Sequence, residues 1–323
     1  MQKFYAGYRR FFHRPILVVV VLLMCCAGAL GVMTSMPSAQ PDRFETTAAD
    51  IDLSRRLEGH VRQLAGPRNV FYPAEYRSAE NYLVARLKSF GYAPTLQAVA
   101  SFYGPANNVV VVIPGATSAR WVVGAHYDSH DRNPGADDNA SGTAALLEIA
   151  RALHGTTPAR TLELVFFANE EPPHFQTDTM GSVVHSKNAG EVELMISLEM
   201  LGYYSSEPNS QKYPPPLNHY YPDVGDFVAV VGSIPDRLPV QDLTKKLRSG
   251  GMKTYGFSGP RFIPGIGFSD HWSYWQHDTR AIMVTDTAFF RNDNYHKDTD
   301  LPETLDYLRM ARVTRLVGEF VSQ

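Results

Sequence analysis

Residues 161–171 read TLELVFFANEE, an apolar and β-branched run that stops on two adjacent carboxylates. Its length suits a strand, and its near-continuous apolar character suits one buried on both faces. Outward from it the arrangement recurs. Residues 121–124 lead into GAHYDS (124–129), and residues 194–198 run through SLEM (197–200). Residues 108–113, 227–231 and 281–285 are further strand-like runs. Helix-like segments lie between and around them at 74–90, 141–153, 240–249 and 304–321. In the first, Tyr82, Leu83, Leu87 and Phe90 share one side and Gly91 suits its C-terminus. Strands alternating with helices predict an α/β fold, a single globular domain whose mostly parallel central sheet carries helices on both faces. Ligands of such sheets bind beyond the carboxyl ends of the strands. His126, Glu170, Glu171 and Glu199 all fall there.

The 323 residues have 44% hydrophobic content, enough for a large core. The formal net charge of −3 is unevenly placed, because Lys3, Arg9, Arg10 and Arg14 precede the first acidic residue, Asp42. Setting those four aside leaves 26 of the 30 basic residues against 33 acidic ones, a net charge of −7. No clustered basic face is evident, so nucleic acid is not an expected partner. Residues 16–33 are uncharged and almost wholly apolar behind the basic segment 1–15. They read as a transmembrane helix or a cleaved signal, with the N-terminus cytoplasmic and the rest exported. Membrane anchoring through this one helix, with the catalytic part periplasmic or extracellular, is the expectation; secretion follows if the segment is cleaved. Residues 34–48 are rich in Pro, Ser and Thr and read as a linker to a domain over 49–323. Cys25 and Cys26 both lie in the apolar run, so the exported part has neither disulfides nor thiolate metal ligands.

Five residues of metal-ligand type stand in a fixed order along the chain. They are His126 in GAHYDS, Asp138 in PGADDNASG (134–142), Glu171 in NEE (169–171), Glu199 in SLEM and His296 in NYHKDTD (294–300). Each has an ordinary reading when taken alone. Asp137, Asp138, Asn139 and Ser141, for instance, suit a helix N-cap. Together, two imidazoles and three carboxylates are enough to hold two zinc ions on nitrogen and oxygen, which points to a hydrolase.

These motifs, in this order and spacing, resemble those of the M28 family of zinc aminopeptidases over roughly residues 50–320. The resemblance implies two Zn²⁺ per chain and a peptide substrate with a free N-terminus. The N-terminal peptide bond would be cut by a water that the two zinc ions activate. His126 and Glu199 would bind one zinc, Glu171 and His296 the other, and Asp138 would bridge them. Asp128 would accept a hydrogen bond from His126 and fix its tautomer. Glu170 matches the general base, and Tyr295 matches a tyrosine that hydrogen-bonds the developing oxyanion. Asp270, in FSDHW (268–272), is expected to support the ligands from behind, with His271 opening a helix. The Asp138–Asn139 peptide is expected to be cis.

Two departures from the family pattern border the site. Glu199 stands where many members have Asp, and PPHFQTDTM (172–180) is longer than the usual loop after the glutamate pair. Residues 203–223, rich in Pro and Tyr, read as a surface insertion that shapes the substrate site. Phe257, Phe262, Ile263, Ile266 and Phe268 read equally as the lining of an apolar pocket or as core. His130, His154, His174, His185, His219 and His277 belong to no motif and read as structural or surface residues. Two alternatives stand beside the aminopeptidase. One is a glutaminyl cyclase-like acyltransferase with a single zinc, which Asp137-Asp138-Asn139 disfavours. The other is a non-catalytic binding ectodomain, whose mark would be lost ligands; all five are present.

Overall fold

Along residues 160–167, Leu162, Leu164 and Phe166 alternate with Glu163, Val165 and Phe167, so one strand feeds two different layers. This is β4 (Arg160–Phe167) of an eight-stranded sheet. The other strands are β1 (Thr95–Val99), β2 (Ala106–Ile113), β3 (Thr117–His126), β5 (Leu194–Glu199), β6 (Val228–Ser233), β7 (Thr254–Gly259) and β8 (Ala281–Thr285). The structure is a computed structural model that describes residues 46–323 apart from 102, together with 30–36 and positions 18, 24 and 28.

The strand order is β1-β2-β4-β3-β5-β8-β6-β7. The centre is parallel, with β3 between β4 and β5, and β5 beside β8; β6 and β7 are also parallel. Four of the seven pairings among the described residues are parallel, and the flanks are where the sheet departs from that direction. β1 runs antiparallel to β2, β2 to β4, and β6 to β8, so the sheet is mixed. The short links account for one side: residues 100–105 are too few for the crossover that parallel neighbours need. The link 114–116 is too short to carry the chain back along the sheet, so β3 runs opposite to β2 on the far side of β4.

Helices cover both faces. Leu164 of β4, Val123 of β3 and Ile196 of β5 belong to one apolar cluster with α1 (Ala48–Leu64), α2 (Pro73–Ser89), α3 (Gly142–Leu153), α5 (Arg237–Ser249) and α7 (Tyr307–Val321). The opposite face meets α4 (Gly181–Asn188) and α6 (His271–Trp275), where His185 packs on Phe167 and Glu163 and bonds the Tyr274 hydroxyl at 2.6 Å. The sequence pattern did not announce α1. A reciprocal cap starts it: Thr47 Oγ1 accepts the Asp50 N–H, and the Asp50 carboxylate accepts the Thr47 N–H.

The chain divides into two compact units, Met1–Ser35 and Met36–Gln323. In the first, residues 30–34 are helical. The apolar run 16–33 falls mostly outside the described residues. Among the described residues no helix is long and apolar enough to cross a membrane.

Candidate metal centre

His126 is the last residue of β3 and Glu199 the last of β5, while Glu170 and Glu171 follow β4 by three and four positions. Parallel neighbours deliver these side chains to one edge of the sheet. Asp138 arrives on the turn Ala136–Ser141, and its peptide bond to Asn139 is cis. Two glycines are required there. A Cβ on Gly135, which has φ +56°, would lie 2.3 Å from the Asp138 carbonyl oxygen, and one on Gly142 would lie 2.4 Å from that of Leu198. Asn139 ties the turn to β5. Its amide donates to Leu198 O at 2.8 Å, and its Oδ1 accepts the N–H groups of Gly142 and Met200, each at 3.0 Å.

Among the described residues two groups of ligand-type atoms converge, and they share one residue: His126, Asp138 and Glu199 form one, Asp138, Glu171 and His296 the other. Asp138 faces both. Its Oδ1 lies 3.3 Å from His126 Nε2, and its Oδ2 lies 3.1 Å from His296 Nε2. Glu199 Oε2 is 3.4 Å from His126 Nε2, and Glu171 Oε1 is 3.3 Å from His296 Nε2. The longer arm of Glu199 is steadied by Ser269, whose hydroxyl donates to Oε2 at 2.7 Å. Glu171 Oε1 is buried and has no hydrogen-bond partner. An orphaned anionic oxygen is costly in a protein interior unless a cation meets it. The nitrogen and oxygen donor set fits zinc.

The electrostatics follow from this crowding. Burial would raise Asp138, but His126 and His296 together hold it well below the usual carboxylate range. Burial pushes Glu171 up to about 7 with help from Asp138, and it drives Glu170 well above the ordinary range. Burial would lower His296; the carboxylates of Asp138 and Glu171 facing its ring outweigh that and push it up to about 10.

Supporting contacts surround the two groups. Asp128 sits 3.3 Å from His126 Nδ1, and its two oxygens accept the backbone N–H groups of Glu170 and Glu171 at 3.1 and 3.0 Å. One carboxylate therefore orients His126, Glu170 and Glu171 together. Asp270 is fully buried and close enough to His126 and Glu199 to feel their charge, while the hydrogen bond to a ligand comes from its neighbour Ser269. His271 does open α6.

Three contributors escaped the sequence reading. Asp300 accepts the N–H groups of Asp137 and Asp138; it stood in NYHKDTD but without a role. His130 stacks on His296 with ring centroids 3.9 Å apart. Arg68 is fully buried, and its guanidinium donates to the carbonyls of Tyr127, Leu64, Gly66, Pro134 and Gly135. Its charge lies among Asp128, Asp138, Asp300 and Glu171. Backbone strain gathers at the same place. Asn169, Met200 and His296 have φ of 57, 48 and 56°, a conformation worth about 1–3 kcal/mol each for such residues.

A cavity of ≈ 850 Å³, counted out to its open mouth, adjoins the cluster, and Glu199 and Tyr295 stand in its wall. Phe257, Ile263, Ile266 and Phe268 line it, whereas Phe262 points to solvent at 85% exposure. The 203–223 insertion supplies Gln211, Tyr213, Leu217 and Tyr221.

Residues 108–321, well over half of the chain, match the profile of peptidase family M28. The chain belongs to this family. Among related sequences, an uncharacterized Escherichia coli protein, YfbL, is 48% identical over 286 residues, 85% of each chain. Leucine aminopeptidase 1 of Grosmannia clavigera is 26% identical over 82% of this chain and 66% of its own length. The chain spans about half to two thirds of the length of the fungal leucine aminopeptidases it matches. The fold is shared with the LapA aminopeptidase of Legionella pneumophila, at 20% identity and a TM-score of 0.67 over 90% of this chain and 79% of that one. It is shared as well with a glutaminyl cyclase of Porphyromonas gingivalis, at 19% identity and a TM-score of 0.61 over 83% and 97%.

Proposed function

We propose that the protein is an exopeptidase with two zinc ions that releases the N-terminal residue of peptides. The observation that carries this reading is Asp138, whose two oxygens face separate histidines, each backed by its own glutamate. His126 and Glu199 would hold one ion, Glu171 and His296 the other, with Asp138 on both. Zinc bound there supplies Lewis acidity and lowers the pKa of water.

The remaining chemistry belongs to the chain. Glu170 lies beside the clusters without belonging to either, with Oε2 3.9 Å from His126 Nε2, and burial raises its carboxyl above the ordinary range, which suits a group that takes up and returns a proton. Tyr295 keeps its phenolic proton, because burial and the nearby carboxylates raise its pKa, so it is a donor to a developing oxyanion. Glu170 and Glu199 are both anionic partners for a free α-amino group. The adjoining apolar cavity would take the first side chain, and leucine aminopeptidase relatives agree with that preference.

The test is hydrolysis of leucine p-nitroanilide by the zinc-loaded protein. Release of p-nitroaniline is expected, with N-acetyl-leucine p-nitroanilide inert. Equal turnover of the acetylated compound would overturn the aminopeptidase reading. The glutaminyl cyclase reading gains from the shared fold, and cyclisation of an N-terminal glutamine without any hydrolysis would favour it. We further propose that residues 34–323 work outside the cytoplasm, on the strength of the basic residues before the apolar run 16–33. Cell fractionation decides this, and activity confined to the cytosol would defeat it.

A further inference from the structure

Aromatic rings form a continuous rim at the mouth of the cavity. Phe175 meets Phe268 edge-on at 6.0 Å, Phe268 lies 6.1 Å from Phe289, and Phe289 lies 5.6 Å from Tyr295, which stacks on His296 at 3.7 Å. Three separate loops supply these rings: the extended loop after the glutamate pair, the segment before α6, and the segment after β8. Phe268 is 46% and Phe289 36% exposed. Single exposed aromatics are ordinary, whereas several joined rings beside reacting groups mark a place where something apolar binds.

Phe268, Phe289 and Tyr295 belong to both the rim and the cavity wall, so the two surfaces are continuous. The cavity offers a polar side chain little. The Tyr213 and Tyr221 hydroxyls are spent on Pro222 O and Gly256 O, and the Gln211 amide is tied to Thr287 and Arg291. Lys212, its cation, is 68% exposed and faces Asp293. Direction comes from Phe175. It is not part of the cavity wall and extends the rim outward from Phe268, past the space assigned to the first side chain.

We infer that this rim is a second apolar subsite, which takes the side chain following the scissile bond. The substrate class is then peptides whose first two residues are both large and apolar, preferably aromatic at the second. The inference rests on the aminopeptidase reading for the placement of the first residue. Aromatic contacts of this kind amount to roughly a tenfold gain in affinity.

Calorimetry on the zinc-loaded full chain tests it with two uncleavable leucyl peptides, Leu-ψ(CH₂NH)-Phe-amide and Leu-ψ(CH₂NH)-Gly-amide. The phenylalanine compound is expected to bind about tenfold more tightly. Phe175→Ala and Phe268→Ala should bring that ratio toward one, and Phe175→Tyr should restore it. Leu238→Ala, an exposed apolar residue on α5, should leave the ratio as in the parent. Equal affinities in the parent protein, or a ratio untouched by both alanine variants, overturn the subsite. Binding needs no turnover, so failure of the p-nitroanilide assay sinks the aminopeptidase reading separately and leaves this measurement decisive for the rim.

Discussion

Asp300 grips Asp138 by the backbone. One oxygen of Asp300 accepts the Asp138 N–H at 3.1 Å and the other accepts the Asp137 N–H at 2.9 Å, across more than 160 residues of sequence. The residue shared by the two clusters is thus set by the same segment that carries His296. Asp300→Ala would leave two buried N–H groups unpaired, at about 1–3 kcal/mol each. The expected outcome is a fall in melting temperature of several degrees, together with zinc affinity lower by roughly 10- to 100-fold. Asp300→Asn, which keeps one acceptor, should fall between. Parental zinc affinity in the alanine variant would show that the turn holds itself.

Glu170 is buried among Glu171, Glu199 and Asp270, and desolvation is the main reason its carboxyl titrates far above the ordinary range. Glu170→Gln preserves shape and removes the proton-transfer capacity. Turnover on leucine p-nitroanilide should fall by roughly two to four orders of magnitude with zinc content unchanged. Near-parental turnover in a metal-replete variant would remove Glu170 from the proton path.

Of the candidate ligands, His126, Glu171 and Glu199 were legible because each closes or follows a strand's apolar run, and a strand's carboxyl end is where a parallel sheet presents its site. Asp138 and His296 stand outside the strands and were legible only through the order of the motifs. The helices over 74–90, 141–153, 240–249 and 304–321 were legible through their apolar spacing and lie within three residues of the observed bounds. β1 escaped because it is an edge strand with four of its five residues at least partly exposed, so no apolar run marks it. Strand direction escaped too, since it depends on which neighbour a strand finds. Asp300, Arg68 and His130 were silent for a different reason: each acts through contacts to residues far along the chain, and no local pattern encodes those.

Two zinc ions per chain are expected by elemental analysis of the purified protein, and a proton from each histidine should be released as they bind. In the metal-free protein, burial is outweighed by carboxylate partners at both rings, leaving His296 near 10 and His126 well above its ordinary value. Ligation needs neutral imidazole, so zinc affinity should rise with pH across the neutral range. Calorimetry at pH 7 in buffers of different ionisation enthalpy measures the release. Asp138→Ala should lose both ions, and His126→Ala or His296→Ala mainly one. A saturated stoichiometry of one in active protein would rule out the paired site.

Glu148 of α3 anchors the helical layer. Its side chain is fully buried, with Oε2 2.8 Å from the Nε atoms of both Arg56 and Arg151 and Oε1 3.2 Å from His60 Nε2. The His60 ring bonds the Tyr82 hydroxyl at 2.6 Å, so α1, α2 and α3 meet at one carboxylate. Burial alone would raise Glu148, but His60, Arg56 and Arg151 overcome it and hold the pKa at about 2 against an ordinary 4.5. A depressed carboxyl contributes stability that is present above the unfolded value and is lost as pH falls through the folded one. That window runs from about 4.5 down to about 2, and the contribution is on the order of 2–3 kcal/mol. Glu148→Gln should therefore be less stable than the parent at pH 7, with the two converging as the pH approaches 2. Urea midpoints, taken in chelator so that metal loss does not enter, check this. A stability difference independent of pH would mean that Glu148 acts through packing and neutral hydrogen bonds alone.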